Sequence, residues 1–195
     1  MIKANYNDKN IIVDILTRSF DDNHSVNFIV QQDEKRIERI RALMDYSFEV
    51  CYAFGKVLLS EDRKACALVL FPDQKRTNLK SLFLDAKLIL SCIGIGNIYR
   101  ALSREAKIKH IQPKEAMYYL WFIGVDPNYQ NTGTGSKLLN EVIEDSKLQQ
   151  RHIYLETSTL KNIPWYQKFG FSIYNELDLG YKLFFLKREL NVHPH

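Results

Sequence analysis

The chain has 195 residues, of which 46% are hydrophobic, 12% aromatic and 26% charged. That balance excludes a disordered or fibrous chain and suits a single globular domain, here residues 1–195, with a sizeable core. A net charge of +4 suits an anionic ligand but is too small to argue for nucleic acid as a partner.

Met1–Asp8 lacks the apolar core of a signal peptide. Ile11, Ile12, Ile15, Leu16 and Phe20 fall on one stripe and predict an amphipathic helix over 7–20, with Asn7 or Asp8 as its cap. A second helix over about 33–54 follows from Ile37, Ile40, Met44, Phe48 and Cys51, and Gly55 ends it. Two strands are predicted at 56–60 and 65–71, joined by the charged turn Glu61–Lys64. A helical segment over about 78–108 comes next, broken near Gly94 and Gly96. The uncharged run from Leu88 to Tyr99 inside it is too short to span a bilayer. Cys51, Cys66 and Cys92 have apolar neighbours and no metal-ligand spacing, so free thiols, no metal site, no membrane partner and a cytoplasmic location are expected.

Tyr118–Val125 carries too many large apolar groups for a half-exposed strand and reads as a central one. Strands at 152–158, 171–177 and 181–187 and a short helix at 164–169, with Pro164 in its first turn, complete a mixed α and β order.

Between the central strand and a helical pattern at Leu138, Leu139, Val142 and Ile143 lies Tyr129-Gln130-Asn131-Thr132-Gly133-Thr134-Gly135-Ser136. Strand, glycine loop, helix is an arrangement in which main-chain N–H groups converge on an anion at the positive end of a helix. A nucleoside-triphosphate P-loop would need Lys then Ser or Thr after the last glycine, and Ser136-Lys137 has the reverse order. A dinucleotide site would need a third glycine, although Glu156 stands near the distance of a ribose-binding acid. A plain tight turn would need only one glycine.

Further on come Leu155-Glu156-Thr157-Ser158 and Asn162-Ile163-Pro164-Trp165-Tyr166-Gln167-Lys168-Phe169-Gly170-Phe171. Together with the Gln-x-x-Gly-x-Gly run at Gln130–Gly135, this segment resembles the Gcn5-related N-acetyltransferase (GNAT) superfamily over about residues 118–190. Its wording is similar to puromycin N-acetyltransferase-like members, which does not carry the substrate over. The resemblance implies a mixed α/β (α+β) fold with a mostly antiparallel twisted sheet flanked by helices, two splayed parallel central strands and, here, an extra helical insertion at about 78–112.

It also implies roles. Acetyl-coenzyme A would lie between the strands at 118–125 and 152–158. Main-chain groups of Ile123, Gly124 and Val125 would meet the pantetheine as an added strand does, with an oxyanion donor near Val125. Gln130, Asn131, Thr132, Gly133, Thr134, Gly135 and Ser136 would hold the pyrophosphate, while Lys137 has a solvent-facing alternative. Asn162 matches a cofactor-contacting position, although the Glu156-to-Tyr166 segment is shorter than the usual pattern. Tyr166 matches the tyrosine that protonates the departing thiolate, with a core aromatic as the alternative. Glu156 is the candidate base for the amine, with a purely orienting or ion-paired carboxylate as the alternative. His152 and His110 have no nucleophile partner.

The expected acceptor is a small-molecule amine, taken up by a monomer or homodimer. An acyl-coenzyme A sensor and a protein acetyltransferase are the alternatives. Asp21 and Asp22 could attract a cationic amine and Phe20, Phe28 and Tyr46 could line its pocket, although all five also read as helix-end or core residues.

Overall fold

The computed structural model describes residues 1–76 and 79–190. In chain order the elements are β1 (Ile2–Lys3), α1 (Lys9–Ser19), α2 (His24–Ile29), α3 (Arg36–Phe54), β2 (Gly55–Leu59) and β3 (Ala65–Leu70). Then come α4 (Leu79–Leu88), continued by a π-turn at Ile89–Ile93, α5 (Ile98–Ile111) and β4 (Tyr118–Val125). The chain closes with α6 (Thr134–Leu148), β5 (Ile153–Thr157), α7 (Ile163–Lys168), β6 (Ser172–Asp178) and β7 (Lys182–Arg188).

The elements expected from periodicity form within one to three residues of their predicted bounds. Asn78, the first residue of the predicted helical segment, lies outside the described residues. Two elements were not anticipated, β1 and α2. The helix at α3 passes into β2 with no loop, because Gly55 sits where a Cβ would lie 2.0 Å from the Val69 carbonyl oxygen. Only a residue without a side chain allows that approach.

The strands form one seven-stranded sheet in the order β1-β2-β3-β4-β5-β7-β6. Every neighbouring pair is antiparallel except β4 and β5. Side chains alternate between its faces with the period of two that a strand imposes. Cys66, Leu68 and Leu70 of β3 join the core shared with α1 and α3. Ala65, Ala67 and Val69 join the opposite core, with Leu138, Leu139, Val142 and Ile143 of α6. The sheet is thus covered on both faces, as the apolar run of β4 demanded.

The inserted helices divide their contacts. Leu88, Ile89, Cys92 and Ile93 pack into the α1–α3 core, and Tyr46 of α3 donates to Asp85 at 2.7 Å. Ile108 of α5 instead packs on Leu183 and Phe185 of β7. Among the described residues no single helix is long and apolar enough to cross a membrane. All three cysteines are buried free thiols, and burial pushes the Cys92 thiol up to about 12.

Candidate active site

The parallel pair β4 and β5 separates soon after it forms. Only Tyr118↔Ile153 and Tyr119↔Tyr154 are in register. Beyond them β4 follows β3, while β5 follows β7 through Glu156↔Phe185 and Thr157↔Phe184. The cause is local. The β3–β4 register shifts between Leu68 and Val69, which leaves Trp121 as the extra residue of a β-bulge. Trp121 and Phe122 consequently both contact the α1–α3 core, whereas regular alternation would put them on opposite faces. A bulge bends its strand and raises the local twist, and here it carries β4 away from β5.

The bulge also decides which main-chain groups face the resulting wedge. Asp126 N–H donates to the Lys64 carbonyl at 2.8 Å, and the register above the bulge runs Gly124↔Cys66 and Val125↔Ala65. By antiparallel alternation Gly124 bonds towards β3, so the N–H and C=O groups of Ile123 and Val125 point to the opposite edge, where β5 has departed. One of these groups has protein partners: the Val125 carbonyl accepts from Ser19 Oγ at 2.7 Å and from Gln130 Nε2 at 3.4 Å.

The glycine loop leads from this edge into α6. Gly133 has φ +86°, a left-handed conformation, at the N-cap position. No side chain caps the helix, so the first N–H groups of α6 keep their donor capacity. A Cβ on Gly135 would come within 3.1 Å of Val125 Cγ2, which sets the loop against the end of β4. Several loop side chains are engaged by the protein. Thr132 Oγ1 donates to the Tyr129 carbonyl at 2.7 Å, and Ser136 Oγ accepts from Trp165 Nε1 at 3.0 Å. What the loop offers outward is therefore mainly backbone. Lys137 points to solvent, and among the described residues its one ion-pair partner is Glu61, at 3.9 Å.

Sequence patterns gave no hint of what steadies this loop. Asp126 accepts from Asn128 N–H and takes both Arg18 nitrogens, at 3.2 and 2.8 Å. The Asn128 bond and the Arg18 charge hold its carboxyl below the usual range. On the other side Lys64 Nζ lies 3.8 Å from the Tyr129 ring centroid. From below, Asp145 of α6 accepts from Lys56 at 2.7 Å and from Tyr118 at 2.8 Å, tying the helix to β2 and β4.

Tyr166 is buried, 5% exposed, on α7 between Trp165 and Phe171, with ring centroids 4.8 and 5.4 Å away. Its hydroxyl makes no hydrogen bond among the described residues, and burial alone raises its pKa. The phenol is therefore protonated throughout the physiological range. Asn162 ends a 3-10 turn at the N-cap of α7, half-buried and with no capping bond from its side chain.

Glu156 of β5 accepts from Tyr119 Oη at 2.5 Å and from Gln112 Nε2 at 2.9 Å. Burial raises its pKa and outweighs these two donors and the Arg104 charge, all of which favour the ionised form. The alternative of a carboxylate spent in an ion pair finds no partner here among the described residues. Tyr174 completes the surroundings: its buried hydroxyl has no hydrogen-bond partner among the described residues and feels the Glu156 charge. Gln112 at the end of α5 and Tyr119 in β4 are seven residues apart, whereas Tyr174 comes from β6, and no motif connects the three.

The acceptor-side candidates disperse. Asp21 is ion-paired with Arg36, and Asp22 is exposed. Tyr46 is bound to Asp85 and packs on Trp121, while Phe20 packs edge-on against Phe122. Only Phe28 borders an open groove, beside Tyr181 and Arg100. His152 Nδ1 accepts from Leu190 N–H, a structural bond, and His110 is exposed on α5.

Residues 90–173, which include the glycine loop, Glu156 and Tyr166, match the family model of the acetyltransferase (GNAT) domain. Solved structures share the fold across nearly the whole chain. One is described as histone acetyltransferase HPA2 and related acetyltransferase, from Corynebacterium glutamicum. It is 21% identical with a TM-score of 0.74, covering 100% of this chain and 97% of its own. The C-terminal condensation domain of Ebony, in complex with beta-alanyl-dopamine, has a TM-score of 0.67 at 8% identity, covering 97% of each chain. A mosquito arylalkylamine N-acetyltransferase like 5b has a TM-score of 0.55 at 15% identity, covering 96% of this chain and 98% of its own. The domain match over residues 90–173, the splayed sheet and the glycine loop agree with one another, and over its whole length the chain shares the fold of these solved structures.

Proposed function

We propose that this enzyme acetylates the primary amine of a small molecule, with residues 1–195 acting as one domain. The observation that carries the donor half is the wedge. Main-chain groups of Ile123 and the Val125 N–H line one edge without a strand partner, and an uncapped helix start with a left-handed glycine follows it. A helix terminus alone contributes about 0.3–1 kcal/mol to an anion at an exposed site. The several N–H groups of Asn131 through Ser136, converging with it, would supply the rest. The residues present fit coenzyme A: backbone for the pantetheine amides, and a cradle for the pyrophosphate with Asn162 nearby in sequence to the α7 entry.

Bound acetyl-coenzyme A supplies the thioester that the amine attacks. Glu156, its pKa raised by burial, accepts the amine proton, directly or through water. The Val125 N–H stands at the edge where a developing oxyanion needs a donor. Tyr166, protonated and without a hydrogen-bond partner among the described residues, donates to the sulfur as the C–S bond breaks. The small-molecule choice is supported by the crowding of the acceptor side, where Ser25 N–H of α2 meets Ser158 Oγ just past β5 at 3.3 Å. It is also supported by two structural neighbours whose descriptions name a small arylalkylamine and beta-alanyl-dopamine.

Two results are expected. Gly133→Val forces a β-branched residue to φ +86°, a backbone cost of roughly 1–2 kcal/mol, and disorders the cradle. With two charge-assisted bonds lost, calorimetric titration should show coenzyme A affinity falling by about 100-fold or more in a protein that still melts cooperatively. Unchanged affinity would refute the pyrophosphate assignment. Tyr119→Phe removes a donor that favours the ionised Glu156. The acidic limb of the kcat/KM–pH profile should therefore move to higher pH. A limb that stays in place would separate Glu156 from that ionisation.

A further inference from the structure

The chain pairs most of its arginines with carboxylates: Arg18 with Asp126, Arg36 with Asp21, Arg39 with Asp33, Arg41 with Asp14, Arg63 with Asp8 and Arg151 with Asp73. α5 breaks that habit. Arg100, Arg104 and Lys107, four and three residues apart, share one face of the helix. None of the three has a carboxylate within ion-pair distance among the described residues. They line a groove of about 370 Å³ whose other walls include Phe28, Asp178 and Leu179. The Arg100 guanidinium lies 3.8 Å from the Phe28 ring centroid. Arg104 is half-buried and held by neutral groups, with Nη2 donating to Ser25 Oγ at 2.5 Å and Nε to Tyr181 Oη at 3.1 Å. Asp178, the one acid in the lining, already accepts from Gly180 N–H.

Three uncompensated cations on one helix face repel one another, and a planar guanidinium fixed by neutral partners is poised for an oxyanion. The groove is also joined to the proposed chemistry. The Arg104 charge acts on both Glu156 and Tyr119. Gln112, just past the end of the same helix, donates to Glu156. From Arg104 to Gln112 is eight residues, about 12 Å along a helix axis.

We propose that the acceptor is an amine that also bears an oxyanion, carboxylate or phosphate, bound in this groove by Arg100, Arg104 and Lys107 while the amine lies at Glu156. This rests on the amine-acetylation reading above and names its substrate class.

The test uses matched pairs: ω-aminocarboxylates of four to eight carbons against their carboxamides, and aminoalkyl phosphates against the corresponding amino alcohols. Release of coenzyme A thiol gives KM, and calorimetry on the coenzyme A-bound protein gives affinity. The charged member of at least one pair should show a KM or Kd lower by roughly 10- to 100-fold, and the arm that responds identifies carboxylate or phosphate. In Arg100→Gln/Lys107→Gln, both exposed positions, that ratio should fall towards one. Equal constants for charged and neutral members, or a preference that survives the double substitution, would overturn the proposal. If neutral amines are acetylated without any preference for charge, this inference falls alone. If no amine turns over although acetyl-coenzyme A binds, the amine-acetylation reading fails, and the calorimetric ratio still decides whether the groove takes an oxyanion.

Discussion

Glu156→Gln is expected to lower kcat by roughly 10²–10⁴-fold near neutral pH, the range that a positioned base contributes. Glutamine keeps the shape: its Oε1 can accept from Gln112, and its Nε2 can donate to Tyr119 Oη, the groups now at 2.9 and 2.5 Å from the carboxylate, so the loss is chemical. The residual activity should lose the acidic limb of its pH profile. Stability separates this from a folding defect, and its sign is fixed by the direction of the shift. The Glu156 pKa is raised in the fold, so the folded state binds more protons than the unfolded chain between the unfolded and folded pKa values. Its contribution to stability is fully present below the unfolded value and is lost as pH rises through the folded one. The glutamine variant has no such loss, so near neutral pH its melting temperature should equal or exceed that of the parent. A variant with unaltered kcat would exclude Glu156 as the base.

Tyr166→Phe should produce the second large effect, a fall in kcat of about 10²-fold or more, with the coenzyme A dissociation constant unchanged. The hydroxyl has no partner among the described residues, and its ring is fixed by Trp165 and Phe171. Phenylalanine therefore keeps the packing, and thermal stability should hold. The loss should also shrink with acyl donors whose leaving thiol is more acidic, because such a thiolate needs less protonation. A structural role would affect all donors alike. A rate equal to that of the parent would return Tyr166 to the core aromatics.

How much of this could be read from the chain alone follows from where each signal resides. The loop and the helix behind it were legible because glycine spacing and the apolar spacing of Leu138, Leu139, Val142 and Ile143 are local. The strand Tyr118–Val125 was found to the residue, since its apolar length leaves no other reading. The bulge at Trp121 was not, because it is a property of the β3–β4 register and leaves no mark in β4 itself. Helix α2 was missed for a related reason: six residues carry too little periodicity, and its one signal is the cap, Asn23 Oδ1 accepting from Val26 N–H at 3.1 Å. The surroundings of Glu156 were the largest gap. Tyr119, Gln112, Arg104 and Tyr174 converge only when α5 crosses the sheet, and the inserted segment gave no pattern that fixed its path. Asp21 and Tyr46 show the converse, since suitable chemistry on the expected side proved committed to Arg36 and Asp85.

In the proposed reaction an amine attacks a thioester held between β4 and β5, with Glu156 taking the proton. Its most direct test is the release of coenzyme A thiol from acetyl-coenzyme A with a panel of small amines and lysine-containing peptides, followed by mass analysis of the acceptor. Stoichiometric thiol and N-acetylated small amine are the expected products. Thiol released without acetylated product, or acetyl found only on peptides, would contradict it.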